Sequence, residues 1–115
     1  MEQIDWSTLG FGYRKADYNV RCTYKDGKWG ELRVSDSEEV TMHMAATVLH
    51  YGQACFEGLK AFRGKDGKIR VFRMDENAKR MQNSCNTILM QPLPDGLFEE
   101  AVKKVVKLNE HLVPP

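Results

Sequence analysis

Apolar and polar residues alternate from Tyr18 to Tyr24. Tyr18, Val20, Cys22 and Tyr24 fall on one face and Asn19, Arg21 and Thr23 on the other, the period of a half-buried strand. Lys25-Asp26-Gly27-Lys28 follows, and Asp-Gly signals a tight turn because both residues tolerate positive φ. Residues Trp29 to Val34 read as the returning strand, and Ser35 to Glu39 as a polar connection. Ala45 to Phe56 is expected to be helical, with Thr47, Val48 and Gly52 as its weak points and Gly58 as its stop. Leu59–Arg63 and Ile69–Arg73 form a second hairpin around Lys65-Asp66-Gly67.

The period then changes. Ala78, Met81, Cys85, Ile88 and Leu89 make an apolar stripe at helical spacing, with Asp75 placed to cap the helix that carries it. Pro92 and Pro94 interrupt the chain. Asp95 is the expected cap of a last helix that turns Phe98, Ala101, Val102, Val105 and Leu108 inward. The order hairpin, helix, hairpin, helix, helix predicts an α+β fold: an antiparallel sheet built from hairpins with helices packed on one face.

Composition adds bounds. The 115 residues suit a single domain, and 42% hydrophobic with 29% charged residues is ordinary for a globular chain. A net charge of +1 excludes a global pull toward nucleic acid or an acidic membrane. No apolar run is long enough for a membrane span, and Glu2 and Asp5 spoil any secretory pattern, so a cytoplasmic protein is expected. Cys22, Cys55 and Cys85 are too widely spaced for a zinc motif and read as reduced thiols, so no metal site is expected.

Charge is nonetheless uneven. Between Glu57 and Arg80, Lys60, Arg63, Lys65, Lys68, Arg70, Arg73, Lys79 and Arg80 face Glu57, Asp66, Asp75 and Glu76. This stretch reads either as a solvated strand face running into a helix or as a local anion site. Arg80 is the sharper case: a guanidinium in the second turn of a helix, near its free N–H groups, can fork onto a phosphate. The plainer alternative is an exposed helical arginine. Tyr51 and Phe56 would stand about 140° apart on an unbroken helix, which places them in packing more readily than on one pocket wall. Glu57 before Gly58 reads either as a general base or, more plainly, as a solvated carboxylate at a helix end; that end is unfavourable for an anion, which hints at a partner such as one of the nearby arginines. His43, His50 and His111 have no catalytic partner in sequence, and no lysine has apolar surroundings. No catalytic residue is assigned.

Taken together, HYGQ-x-x-FEGLKA from His50 and FR-x-x-EN-x-x-RM ending at Met81 are specific enough to carry a resemblance. The segment from Leu49 to Cys85, with Phe11-Gly12, Asp17 and Lys28-Trp29-Gly30, closely resembles the N-terminal part of branched-chain amino-acid aminotransferases, pyridoxal-phosphate enzymes of fold-type IV. The resemblance implies that residues 1–115 are a small N-terminal domain, truncated, of a two-domain enzyme whose large catalytic domain is absent. It implies a homodimer when full length, and pyridoxal phosphate held between the domains and not retained by this piece alone. It further implies amino-acid and 2-oxo-acid substrates, with no nucleic-acid or membrane partner. By motif, Arg80 would hold the cofactor phosphate, and Tyr51, Phe56 and Phe11 would line the substrate pocket. The reaction implied is amino transfer from leucine, isoleucine or valine to 2-oxoglutarate, for which this chain alone should be inactive. The competing reading is a stand-alone anion- or nucleic-acid-binding module using residues 57–80.

Overall fold

Asp26 and Gly27, both at positive φ (54° and 80°), form the turn that the Asp-Gly pair predicts. The computed structural model describes residues 13–115. Around this turn β2 (Tyr24–Lys25) pairs with β3 (Lys28–Trp29), Tyr24 opposite Trp29. Further out β1 (Asn19–Arg21) pairs with β4 (Arg33–Ser35), Arg21 opposite Arg33. The register slips by one residue between the two ladders, because three residues (30–32) face two (22–23). That is a bulge, which splits one predicted hairpin into two short ladders and bends it. Gly30 N–H bridges it by bonding Thr23 O at 2.8 Å.

The second hairpin pairs β5 (Ala61–Arg63) with β6 (Ile69–Val71) in antiparallel register. Lys65-Asp66-Gly67 makes its loop, with Gly67 at φ 81°. Gly64 N–H bonds Lys68 O at 2.8 Å, the arrangement of a type I turn closed by a left-handed glycine.

Two long helices follow. α2 (Met74–Thr87) begins after Arg73, which takes the left-handed conformation (φ 51°, ψ 45°) with no side-chain cap. The helix therefore starts before the expected cap: only Phe72 and Arg73 separate it from β6, and Asp75 and Glu76 fall in its first turn, where acidic side chains suit the dipole. α3 (Leu97–Leu108) is capped by Gly96 at φ 88°, not by Asp95. Asp95 instead accepts a bond from Gln82 Nε2 at 2.9 Å, tying the loop to α2.

The largest departure lies between the hairpins. The helix expected over Ala45 to Phe56 is reduced to one turn, α1 (Thr47–His50). β-branched Thr47 and Val48 weaken it, and Gly52 at φ 63° ends it. Beyond Gly52 the chain runs with strand-like alternation. Gln53, Cys55, Glu57, Leu59 and Ala61 are half-buried, while Ala54, Phe56, Gly58 and Lys60 are exposed.

The fold class is the expected one, α+β with antiparallel strand pairs, and α3 packs on both β1 and α2. Its core is thin. Among the described residues only Ala78 and Cys85 are buried apolar side chains, both on the predicted stripe of α2. Leu89, the stripe's last member, sits at φ 60° past the helix end and is exposed. The radius of gyration is 15.8 Å, against about 13 Å for a compact domain of this length. Polar ties compensate in part: Trp29 Nε1 donates to Pro92 O (3.1 Å), Gln82 Nε2 to Leu93 O (2.9 Å), and Arg63 N–H to Pro114 O (2.7 Å).

Candidate functional site

The extended segment from Gln53 to Gly58 lies antiparallel along α2. Gln53 Nε2 donates to Ile88 O at 2.9 Å and Leu89 O at 3.3 Å, at the C-terminal end of the helix. Cys55 meets Met81 and Cys85 in its middle. Asn77 Nδ2 donates to Gly58 O at 3.1 Å near its start. Asn77, Met81, Cys85 and Ile88 recur at three- and four-residue spacing, so one face of the helix seats the whole segment.

Glu57 does pair with a nearby arginine, though it lies in the extended segment and not at a helix end. Arg80 Nε donates to Glu57 Oε1 at 2.6 Å, and Nη2 pairs with the same oxygen. Asn77 Nδ2 adds a longer contact at 3.5 Å. The two ends of the pair differ: the Glu57 side chain is 9% exposed and that of Arg80 67%. Glu57 is thus fixed beneath, and the guanidinium stands in water above it. Nη1 of Arg80 makes no hydrogen bond among the described residues. The pair lines an open groove of ≈ 450 Å³ with Cys55, Asn83, Ser84 and Thr87.

Tyr51 and Phe56 do not line that groove. Tyr51 closes α1 and is 85% exposed; Phe56 points away from α2 and is 90% exposed. The packing role open to them from sequence is therefore not the one they take in this chain. Phe11 lies outside the described residues. The structure brings Glu57 and Arg80 together and leaves both aromatics on open surface. Sequence reasoning missed Gln53 and Asn77, which position the segment. The available signal was an amide at position 77 on the inward stripe of α2.

The remaining candidates resolve as plain structure. His50 Nε2 bonds Met44 O at 2.6 Å, and His43 Nδ1 accepts from Ala45 N–H at 3.0 Å. Every lysine is exposed. Half of the basic residues of the stretch are paired with acids: Arg70 with Asp66 (2.6 Å), Arg73 and Lys79 with Glu76 (3.3 and 3.6 Å), and Arg80 with Glu57. That is a mixed, solvated face and gives no support to a nucleic-acid surface. Among the described residues no cluster of metal-ligating side chains occurs, and no helix is long and apolar enough to cross a membrane.

No family model matches the chain. Along its whole length it is similar to branched-chain-amino-acid aminotransferases. It is 47% identical to that of Haemophilus influenzae over 115 residues, 100% of this chain and 34% of the relative. It is 44% identical to that of Helicobacter pylori, again over 100% of this chain and 34% of the relative. The branched-chain-amino-acid transaminase 1 of Bacillus subtilis is 41% identical over 98% of this chain and 32% of its own length. The resemblance read from the motifs is therefore borne out, and the chain spans about a third of the length of the curated relatives it matches.

Proposed function

We propose that residues 1–115 are the N-terminal small domain of a branched-chain amino-acid aminotransferase, a dimeric cytoplasmic enzyme that moves the amino group of leucine, isoleucine or valine to 2-oxoglutarate. The observation that carries this reading is similarity to enzymes of that name over the whole chain, at 47% identity in one case.

The cofactor expected of such an enzyme is pyridoxal phosphate, and the groove over α2 suits its phosphate. Arg80 offers an exposed guanidinium edge, and the side chains of Asn83, Ser84 and Thr87 line the same wall. A fork of N–H donors is the preferred partner of a phosphate, and small hydroxyls add directional bonds. No lysine lines the groove, so the covalent anchor would come from elsewhere in the complete protein. When bound, the cofactor supplies an electron sink for carbanion chemistry at the amino-acid α-carbon. The part left to this chain is binding and orientation. Glu57 holds the guanidinium by Nε and Nη2, which fixes its plane and leaves the Nη1 edge for an anion.

Tyr51 and Phe56 supply the second half of the reading. Two large rings on open surface, with Phe56 between the seated Cys55 and Glu57, suit the apolar wall of an aliphatic pocket completed by other chain. Each CH₂ buried there contributes ~0.8 kcal/mol, so the three branched-chain side chains would be only weakly distinguished.

The test uses the complete protein that contains this chain. Purified with pyridoxal phosphate, it should show the visible absorbance of the bound cofactor and form glutamate from leucine and 2-oxoglutarate. Arg80→Ala should lose cofactor on dialysis faster than the parent. Retention unchanged by that substitution removes the role of Arg80, and absence of glutamate formation removes the function.

A further inference from the structure

Three sulfurs meet where the extended segment crosses the middle of α2. Cys55 Sγ donates to Met81 Sδ at 3.4 Å and lies 3.7 Å from Cys85 Sγ. With the Cys55 proton on the thioether, Cys85 is the donor within the thiol pair. A disulfide needs a sulfur separation of about 2.05 Å, so the gap must close by about 1.7 Å.

The two thiols differ in access. Cys85 is 2% exposed, on the inner face of α2. Cys55 is half-buried and lines the open groove beside Arg80. The third cysteine, Cys22, sits on the first hairpin with its Sγ on Gly30 O at 3.3 Å, away from both.

We propose that Cys55 and Cys85 form a reversible disulfide on exposure to a hydroperoxide, Cys55 reacting first and Cys85 resolving. The Cys55 thiolate attacks the outer peroxide oxygen. The O–O bond breaks, the alcohol or water leaves with a proton from solvent, and Cys55 is oxidised to a sulfenic acid. The Cys85 sulfur then attacks the Cys55 sulfur. The S–S bond forms, the S–O bond breaks, and the hydroxide departs with the Cys85 proton as water. One hydroperoxide is reduced and two thiols are oxidised. Burial and the hydrogen bond to Cys55 push the Cys85 thiol up, which keeps it protonated and slow toward the peroxide, so the first oxidation falls on Cys55, and Cys85 gives up its proton only as it attacks the sulfenic acid. The bond would fasten the segment carrying Phe56 and Glu57 to the helix carrying Arg80, closing a ring that includes the whole β5–β6 hairpin.

The experiment treats the reduced full chain with one equivalent of hydrogen peroxide, alkylates it, digests it without reductant and maps peptides by mass spectrometry. The expected product is a peptide pair joined through Cys55 and Cys85, two hydrogens lighter than the separate thiols and released by a dithiol reductant, with Cys22 alkylated. In Cys85→Ser, Cys55 should instead be trapped as a sulfenic acid by a cyclic 1,3-diketone. Recovery of Cys55 as sulfinic acid with Cys85 still alkylated overturns the proposal. So does a disulfide that joins either residue to Cys22. Alkylation of both Cys55 and Cys85 at a dose that oxidises Cys22 overturns it as well.

Discussion

Asn109 hydrogen-bonds both backbone groups of Tyr18, accepting from its N–H at 3.1 Å and donating to its carbonyl at 3.0 Å across 91 residues of chain. The amide imitates a neighbouring strand at the open edge of β1. Its Nδ2 also reaches Val105 O at 2.8 Å, so the same side chain closes the end of α3.

The consequence for stability is direct. Asn109 is buried and holds the helix to the first hairpin in a protein with little apolar core. Asn109→Ala should lower stability by about 1–3 kcal/mol, the range for buried partners left unmade. Asn109→Asp keeps the shape and the acceptor but turns a carboxylate toward two carbonyls, so it should lose at least as much. Urea denaturation checks both: the midpoint should fall with an unchanged slope. A midpoint equal to the parent's in Asn109→Asp would mean that the donor half of the contact contributes nothing.

The Glu57–Arg80 pair should be lopsided. The guanidinium stands mostly in water, so their coupling should not exceed about 1 kcal/mol and should weaken with salt. Removing Arg80 nevertheless leaves a nearly covered carboxylate with only the longer Asn77 contact. Arg80→Ala should therefore destabilise more than Glu57→Gln, and the double variant should recover part of the loss. Denaturation of the four proteins at low and high salt gives the cycle directly. Equal losses for the two single variants would show that Glu57 is solvated freely.

These two contacts mark what the sequence could and could not convey. Alternation and turn chemistry located both hairpins, since Asp26-Gly27 and Gly67 adopt the positive φ that their residue types invite. Helical spacing located α2 and α3, and Ala78 and Cys85 do form the buried stripe. The helix over Ala45 to Phe56 failed because the alternation of Gln53, Cys55, Glu57, Leu59 and Ala61 was masked by polar and small residues on the inward side. Period-two reading needs apolar contrast, and here the contacts to α2 are amides, thiols and a carboxylate. Caps failed at Asp75 and Asp95 because chain geometry, through left-handed Arg73 and Gly96, set the helix starts instead. Arg80 drew attention through its motif, while the mismatch read at Glu57 assumed a helix end that the chain does not form there. That the two form one pair required the fold.

The β5–β6 turn should be sensitive to acid. Asp66 accepts from Arg70 Nη2 at 2.6 Å, Arg70 Nη1 at 3.1 Å and Lys68 N–H at 3.1 Å. The bidentate Arg70 fork, then the Lys68 amide, hold its carboxyl below the ordinary value of 3.8. A depressed folded value stabilises the fold above the unfolded value, and the contribution fades as pH falls through the folded one. Asp66→Asn should therefore be less stable than the parent near neutrality, with the difference shrinking below pH ~4. Thermal melts of the two proteins across that range test the sign. A difference constant with pH would assign the effect to the turn's shape alone.

Phe56 and Tyr51 should separate folding from function. Both rings are almost fully exposed, so cutting either to alanine removes no packing from this chain and should move its stability by no more than about 0.5 kcal/mol. If the rings form an aliphatic wall in the complete enzyme, the same cuts remove apolar contact from the substrate side chain. Losing part of a contact worth ~1.5–3 kcal/mol lowers kcat/KM for leucine about tenfold. The loss should be smaller for alanine as amino donor, which has no branch to bury. Steady-state kinetics with both donors, beside a melting curve, reads the two effects independently. An equal fall for leucine and alanine would move Phe56 and Tyr51 from the pocket wall to a general structural role.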